Sequence, residues 1–565
     1  MELSPGTALG TLLLSLTIVF GTGSAAKAAD ASIQVIVGQD GSAECWLGKQ
    51  SLGRITPIVF TKGWNSCQFG LDGPYPATHW AANLPDGAKI ALTATVDVLP
   101  QGLHFKVRMT PSRDTQALAA RMAWDAPYGL WQGQPYQWKG GGGFVPVSKS
   151  ANVVIAETQA PWVTLGPSGV LDGLTMALSS TALSTQLADS RAWGGNLTVI
   201  LSHGEKDSPW DWSKGETKAF DFTVSFNRPV VQVHGQALQR PFPYRELPVT
   251  FEDAPAGVTL SGTLSLPPGP GPFPVAEMII GSGPNPRDGY GGGGYFLVIS
   301  DDLVRHGIAT LRYDKRGTGE STGRFQGAGN QDFADDAAAG LAFLKTRPEI
   351  DPSKIGLIGH SEGGRVAPLA AARTQAAAFV VILSGPGQRG LELLEGRWDR
   401  ADAALPADLR GARHRMRRKA LDAELQWTGG SGWREQAHAA VQEELGPLSK
   451  AYPTAVADGE AFWKDNFAGF TVDAASHFYL AYDPKDSLKA LKCPVLALAG
   501  GLDDSYYPDE QVPGIKAGLK AGKNPDATVK ILPGLDHSLN SNVPGQAIDP
   551  GALALMRDWI VSHTR

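Results

Sequence analysis

Between residues 30 and 235, apolar and polar side chains alternate in short runs such as IQVIV, ALTATVDV, HFKVRM and AFDFTVSF, separated by turns rich in Gly, Pro and Asn. A period of two puts one face of each run in a core and the other in water, and helical periodicity is scarce, so the pattern predicts an antiparallel β-sandwich over 29–238. Residues 236–248 (GQALQRPFPYREL) read as a linker. From residue 245 onward the pattern changes. Two short strand patterns, PVTFED and TLSGTLSLP, are followed by apolar runs that alternate with helical segments: VAEMIIGSG, YFLVISDDLVRHG, IATLRYD, DFADDAAAGLAFLKTR, KIGLIGHS, GGRVAPLAAART, AAFVVILSG, CPVLALAGGLD, ATVKILPGLDH and GALALMRDWIVSH. Uninterrupted apolar runs read as strands buried on both faces, which predicts a mostly parallel sheet with helices on both sides over 245–565.

Residues 386–487 interrupt that alternation with helical patterns alone (GLELLEGRW, LRGARHRMRRKALDAEL, WREQAHAAVQEEL, AFWKDNFAGF). They predict a helical cap inserted over the C-terminal edge of the sheet, where ligands bind in open α/β folds. The basic run Arg410 to Lys419 reads as a solvated helix face. No internal repeat is present.

The first 28 residues carry an apolar run from Leu9 to Phe20 and a small-x-small site at Ala26-Lys27-Ala28. They predict a signal peptide and a secreted or periplasmic protein, although the segment before the apolar run holds Glu2 and no Lys or Arg. No other stretch is apolar enough to span a membrane. In an oxidising compartment Cys45 and Cys67 are expected to pair as a disulfide, and Cys493 to sit in the core. At 565 residues the chain has room for two or three domains, and a net charge of −6 without a basic domain excludes a nucleic-acid partner. Ten of the fifteen tryptophans fall within residues 30–235, including Trp131, Trp138, Trp210 and Trp212. Core filling is the favoured reading of these rings, and glycan contact by stacking is the alternative.

The chemistry concentrates in IGLIGHSEGGRVAPLAAA, Ile355 to Ala372. A serine between two glycines, where a strand gives way to a helix, is a nucleophile elbow: a sharp turn that exposes the hydroxyl. Ser361 is the candidate nucleophile, and the Glu362 N–H is a candidate oxyanion donor. The candidate base is His537, just past the last strand; His414, His438 and His477 fall in the cap and His563 ends the final helix. The candidate acid is Asp503, after Gly500-Gly501-Leu502, with Asp504 as its rival. The second oxyanion donor is assigned to Ser282 in Gly281-Ser282-Gly283, with Gly283 as alternative. The run Gly291 to Gly294 suggests a mobile entrance. YDKRGTGEST, with Asp314, Arg316, Gly317 and Gly319, reads as a salt-bridged brace below the oxyanion loop. Without an HExxH motif or a cluster of metal ligands, no metal and no organic cofactor is expected.

Taken in order, IGSGPNPRDG, LRYDKRGTGEST, GHSEGG, CPVLALAGGLD and LPGLDH make residues 245–565 resemble the α/β-hydrolase superfamily, and within it bacterial carboxylesterases grouped with serine aminopeptidase and dipeptidyl-peptidase-like hydrolases. The resemblance implies a Ser361–Asp503–His537 triad, oxyanion donors from Glu362 and the Ser282 loop, and a helical cap. The implied activity is hydrolysis of a small-molecule carboxylic ester through an acyl-enzyme. A peptidase with the same triad is the near alternative; its α-amine anchor could come from Glu392, Glu395 or Asp399. Acyl-thioester hydrolysis or acyl transfer is the other, because some relatives of that kind carry an N-terminal β domain.

Overall fold

The structure, a computed structural model, describes the chain from residue 32 to 565 apart from short stretches, chief among them 73–78, 148–153, 167–174, 191–195, 204–208, 290–293, 427–431 and 461–473. The expected signal peptide over 1–28, residues 291–293 of the glycine run and the helical reading of 461–470 lie outside the described residues.

Among the described residues, 33–232 build two nine-stranded sheets and one two-stranded sheet. Their pairings are antiparallel except where 33–35 run parallel to 230–232. Alternation does what the sequence pattern requires: along Lys218–Phe226 every second residue from Phe220 onward is buried. The inward faces share one apolar cluster, with Ile33, Ile55 and Val59 from one sheet and Phe105, Val107 and Phe222 from the other. Trp124, Trp131 and Trp212 are among the largest fully buried side chains. At these three positions the ring faces point into the core, where no sugar could stack.

The expected disulfide is not formed; both thiols are free and buried. The reason is register. Cys45 lies opposite Gly53 and Cys67 opposite Val59, so both flank the strand Gln50–Thr61, six residues apart along it. At ~3.3 Å per residue that is about 20 Å, whereas a disulfide needs Cα atoms within about 7 Å. Burial pushes the Cys45 thiol up to about 12 and raises that of Cys67 as well.

The second half is an eight-stranded sheet. Its strands in chain order are β1 (Arg245–Asp253), β2 (Val258–Leu266), β3 (Phe273–Ile279), β4 (Ala309–Tyr313), β5 (Ile350–His360), β6 (Val380–Leu383), β7 (Val495–Gly500) and β8 (Ala527–Leu532). Their spatial order is β1-β2-β4-β3-β5-β6-β7-β8. The first two strands pair antiparallel and β2 joins β4 antiparallel; from there to β8 every pairing is parallel. Strands β4, β6 and β7 are buried at every residue. Alternate residues pack on opposite sides: Ile355 and Leu357 of β5 meet helices α2 (Asn330–Lys345) and α3 (Gly363–Thr374), while Ile358 meets α1 (Tyr295–Arg305) and α10 (Pro550–Thr564).

Inserted after β6 are α4 (Gly390–Ala401), α5 (Ala407–Leu425), α6 (Gly432–Leu445) and α7 (Ala474–Ala481). They enclose a core of their own around Leu391, Met416, Leu421, Val441 and Leu480. The next helix, α8 (Pro484–Ala490), begins within the range read as cap, but its Leu488 packs into the main core beside Ile515 and Leu519 of α9 (Pro508–Ala521). The basic run of α5 is not simply solvated: Arg413 and Arg417 share Asp402, and Arg415 and Lys419 share Glu444. Among the described residues three arginines fasten the cap to the sheet domain, one of them Arg400 of α4, which pairs with Glu510 of α9. Arg365 of α3 donates to the carbonyls of Tyr479 (3.2 Å) and Gln388 (3.1 Å), and Arg397 of α4 donates through Nε to the Ser505 carbonyl at 3.0 Å. No helix among the described residues is long and apolar enough to cross a membrane.

Thiol titration tests the register. In native protein Cys45 and Cys67 should resist a charged thiol reagent, and unfolding without reductant should expose all three thiols. Exposure of only one would mean that Cys45 and Cys67 are bonded.

Candidate active site

Strand β5 delivers Ser361 to the C-terminal edge of the sheet, and α3 starts two residues later. Ser361 sits at φ +57°, in the left-handed region that non-glycine residues rarely adopt. The surrounding main chain enforces it. A Cβ on Gly359 would lie 2.0 Å from the Gly363 carbonyl oxygen, and one on Gly363 would lie 2.0 Å from the Ile279 carbonyl oxygen at the end of β3. The Ser361 N–H donates to the Leu383 carbonyl at the end of β6 (2.9 Å). The serine is thus held between its two neighbouring strands.

Three of the predicted side chains meet in one hydrogen-bonded chain. Ser361 Oγ is 2.9 Å from His537 Nε2, and His537 Nδ1 is 2.8 Å from Asp503 Oδ2. Asp503 is buried, and its Oδ1 accepts from the N–H groups of Ser505 (2.9 Å) and Tyr506 (2.8 Å). Its rival Asp504 points to solvent. The loop carrying His537 is fixed by Asp536, whose Oδ1 accepts from the amides of Ser538 and Asn540. From the elbow itself, His360 reaches across with Nε2 3.1 Å from the His537 carbonyl oxygen. The two imidazoles are 5.1 Å apart, and Tyr506 sets its ring edge-on to His537 at 5.2 Å. Burial, reinforced by the neighbouring His537, pushes His360 down to about 3.

The candidate oxyanion donors come from two sides. Glu362 is the N-cap of α3, and its N–H meets no acceptor among the described residues. The 281–283 loop follows β3, with Gly283 at φ +96°. Asn285 Nδ2 gathers the carbonyls of Gly281, Ser282 and Gly283 at 3.2, 2.6 and 3.1 Å. The brace forms as expected: Asp314 receives Arg287 through both Nε and Nη2, and Arg316 binds Asp336 and Asp253. Sequence reasoning passed over Lys315, between those two. Its Nζ donates to the Gly281 carbonyl (2.9 Å) and to Glu362 Oε2 (2.7 Å), while Glu362 Oε1 accepts from Asn330 (2.9 Å). A lysine in a run of charged residues looks solvated; only its burial shows otherwise.

The remaining candidates lie elsewhere. His414 binds Asp399, His438 binds Glu460, His477 binds the Leu425 carbonyl and His563 binds Asp526. Glu392 and Glu395 are paired with Arg389 and Arg418. Among the described residues no three His, Cys, Asp or Glu side chains gather as a metal-ligand set.

A sequence model of the alpha/beta hydrolase family matches residues 281–548. Esterase EstD of Thermotoga maritima is 29% identical over 229 residues, which cover 37% of this chain and 52% of that protein. Polyketide transferase ClaH of Penicillium crustosum is 33% identical over 141 residues, covering 23% of this chain and 41% of that one. The chain thus spans about half the length, or less, of these curated relatives. Among solved structures, an esterase of Pyrococcus furiosus superposes with a TM-score of 0.36 at 16% identity, over 58% of this chain and 96% of its own. The hypothetical protein PA2218 of Pseudomonas aeruginosa gives 0.37 at 16% identity, over the same shares. The family match falls on the residues that build the parallel sheet and its elbow, and over residues 281–548 the chain is similar to the alpha/beta hydrolase family.

Proposed function

We propose that this chain hydrolyses carboxylic esters through an acyl-enzyme at Ser361. The observation that carries the reading is the unbroken hydrogen-bonded chain Asp503–His537–Ser361 at a strained elbow. The similarity to a protein named an esterase supports it. His537 Nε2 takes the hydroxyl proton as Ser361 Oγ attacks the acyl carbonyl carbon. Asp503 accepts from Nδ1, fixing the tautomer and stabilising the imidazolium. Backbone N–H groups of Glu362 and of Ser282 or Gly283 stabilise the oxyanion. Collapse returns the proton to the departing alcohol; water then repeats the sequence and releases the acid. The N-terminal 28 residues support export to the periplasm or beyond the cell.

A second reading, acyl transfer to an acceptor other than water, is favoured by the similarity to a protein named a polyketide transferase. It uses the same acyl-enzyme and differs only in the second nucleophile. The peptidase reading loses its anchor, because Glu392, Glu395 and Asp399 already hold Arg389, Arg418 and His414 within the cap.

Two imidazoles at 5.1 Å cannot both carry charge cheaply. Keeping His360 neutral leaves the catalytic proton to His537.

Two measurements check this mechanism. With nitrophenyl esters of two to sixteen acyl carbons, Ser361→Ala should lose at least ~10³-fold and Asp503→Asn on the order of 10⁴-fold in kcat, with thermal midpoints little changed. An unaltered rate in Ser361→Ala would remove the serine from the mechanism. The second measurement is stability against pH. His360 sits at about 3 in the fold against an ordinary 6.5. Its contribution is therefore complete above pH 6.5 and is lost as pH falls from there toward 3, where the unfolded chain binds a proton that the native one refuses. The loss reaches at most ~1.4 kcal/mol per pH unit. His360→Gln should flatten that slope, and an identical slope in the variant would show that His360 titrates normally.

A further inference from the structure

We propose that Lys315 is a positioning residue of the oxyanion site: its buried ammonium joins the 281–283 loop to Glu362 and so aims both backbone donors at one point. The proposal rests on the serine-hydrolase reading above and adds to it the means by which two distant segments make one site.

The geometry has three parts. First, Lys315 is only 4% exposed. Its Nζ has two oxygen acceptors, the Gly281 carbonyl at 2.9 Å and Glu362 Oε2 at 2.7 Å. The Phe333 ring lies against it with its centroid at 4.0 Å, so the charge is held by two bonds and a ring rather than by water. Second, a peptide group is planar and trans, so its C=O and N–H point in opposite directions. Fixing the Gly281 oxygen on the ammonium therefore fixes the direction of the Ser282 N–H. Asn285 does the same one peptide further on: it holds the Ser282 carbonyl at 2.6 Å and thereby orients the Gly283 N–H. The backbone N–H of Lys315 in turn donates to the Asn285 carbonyl (3.2 Å), tying the two devices together. Third, Glu362 is gripped at both carboxylate oxygens, by Lys315 and by Asn330 Nδ2 at 2.9 Å. The residue whose N–H is the other candidate donor has little freedom to turn.

Stability alone does not account for a lysine here. Burying an ammonium and a carboxylate costs about as much as their attraction returns, and an apolar pair of similar volume is often as stable. What an apolar pair cannot do is bind the Gly281 carbonyl and a group on the elbow at once.

The test uses the full chain and the variants Lys315→Met, Lys315→Arg and Asn330→Ala. Readouts are kcat and KM on nitrophenyl butyrate, affinity for butylboronic acid, rate of labelling by a fluorophosphonate, and the thermal midpoint. Lys315→Met should lose on the order of 10–100-fold in kcat with KM within about twofold, since a mis-aimed donor fails only when the oxyanion forms. Boronate affinity and labelling rate should fall in step, and Lys315→Arg should recover part of the loss. Asn330→Ala leaves Lys315 in place, keeps the test open if Lys315→Met does not fold, and should show a smaller loss of the same kind. A folded Lys315→Met or Asn330→Ala with unchanged kcat and labelling, or with its loss confined to KM, overturns the proposal. If wild-type protein is labelled at Ser361 but hydrolyses no ester, the ester reading falls while slower labelling of Lys315→Met still upholds the clamp. If wild-type protein is not labelled at all, Ser361 is not an activated nucleophile and the clamp falls with it.

Discussion

Main chain meets main chain at the C-terminal edge of the sheet, with no space for even one carbon between. A Cβ on Gly359, Gly363 or Gly500 would lie 2.0 Å from the carbonyl oxygen of Gly363, Ile279 or Asp536 respectively. These contacts set the elbow after β5 against the end of β3 and the end of β7 against the loop after β8, and those at the elbow leave the serine no conformation but the left-handed one. The cost of Ser361 at φ +57°, of order 1–3 kcal/mol, is met by the packing of a strand buried between two parallel neighbours. Any added side chain at those glycines would have to move a strand end, and with it Ser361, Asp503 or His537.

The second constraint is charge. At the end of β4, Arg312, Asp314, Lys315 and Arg316 follow within five residues, and each is at most 5% exposed. Ionised groups so deeply placed need partners. Arg312 takes Glu246 and Asp288, Asp314 takes Arg287, Lys315 takes Glu362, and Arg316 takes Asp253, Asp332 and Asp336. Their partners lie on β1, on the loop after β3, on the elbow and on α2. One short segment thus fixes four others relative to one another, on the side of the site opposite to His537.

Local chemistry was legible in the sequence wherever it was carried by neighbours along the chain. Gly359 to Gly363 spells out the elbow, the apolar runs spell out the strands, and Asp503 and His537 each follow a strand end closely enough to be placed. What depended on through-space register was not legible. Cys45 and Cys67 look close in sequence, but a shared neighbour strand holds them well apart. Lys315 reads as one more solvated lysine until β4 is seen to run between β2 and β3. Between CPVLALAGGLD and ATVKILPGLDH the hydrophobic pattern shows no helix, and Pro508 and Pro513 argue against one. A parallel crossover between β7 and β8 nevertheless demands an element there, and Pro508 opens the helix at a position where no N–H is needed.

The inserted helices repeat, at Asp503, the device seen at the 281–283 loop. Arg397 of α4 donates to the Ser505 carbonyl. That carbonyl shares its planar peptide with the Tyr506 N–H, which points the opposite way, to Asp503 Oδ1. The guanidinium also lies over the Tyr506 ring, 5.4 Å from its centroid, and that ring is the one set edge-on to His537. A cation on a carbonyl therefore orients a backbone donor on each side of Ser361: Lys315 through the Gly281–Ser282 peptide, Arg397 through the Ser505–Tyr506 peptide. The first cation belongs to the sheet and the second to the inserted helices. Displacing α4 would release one of the two amides that hold the Asp503 carboxylate against His537. The inserted helices and the Asp503 loop are one mechanical unit, joined by that buried carbonyl and by the ion pair of Arg400 with Glu510, of which salt screens the second more than the first.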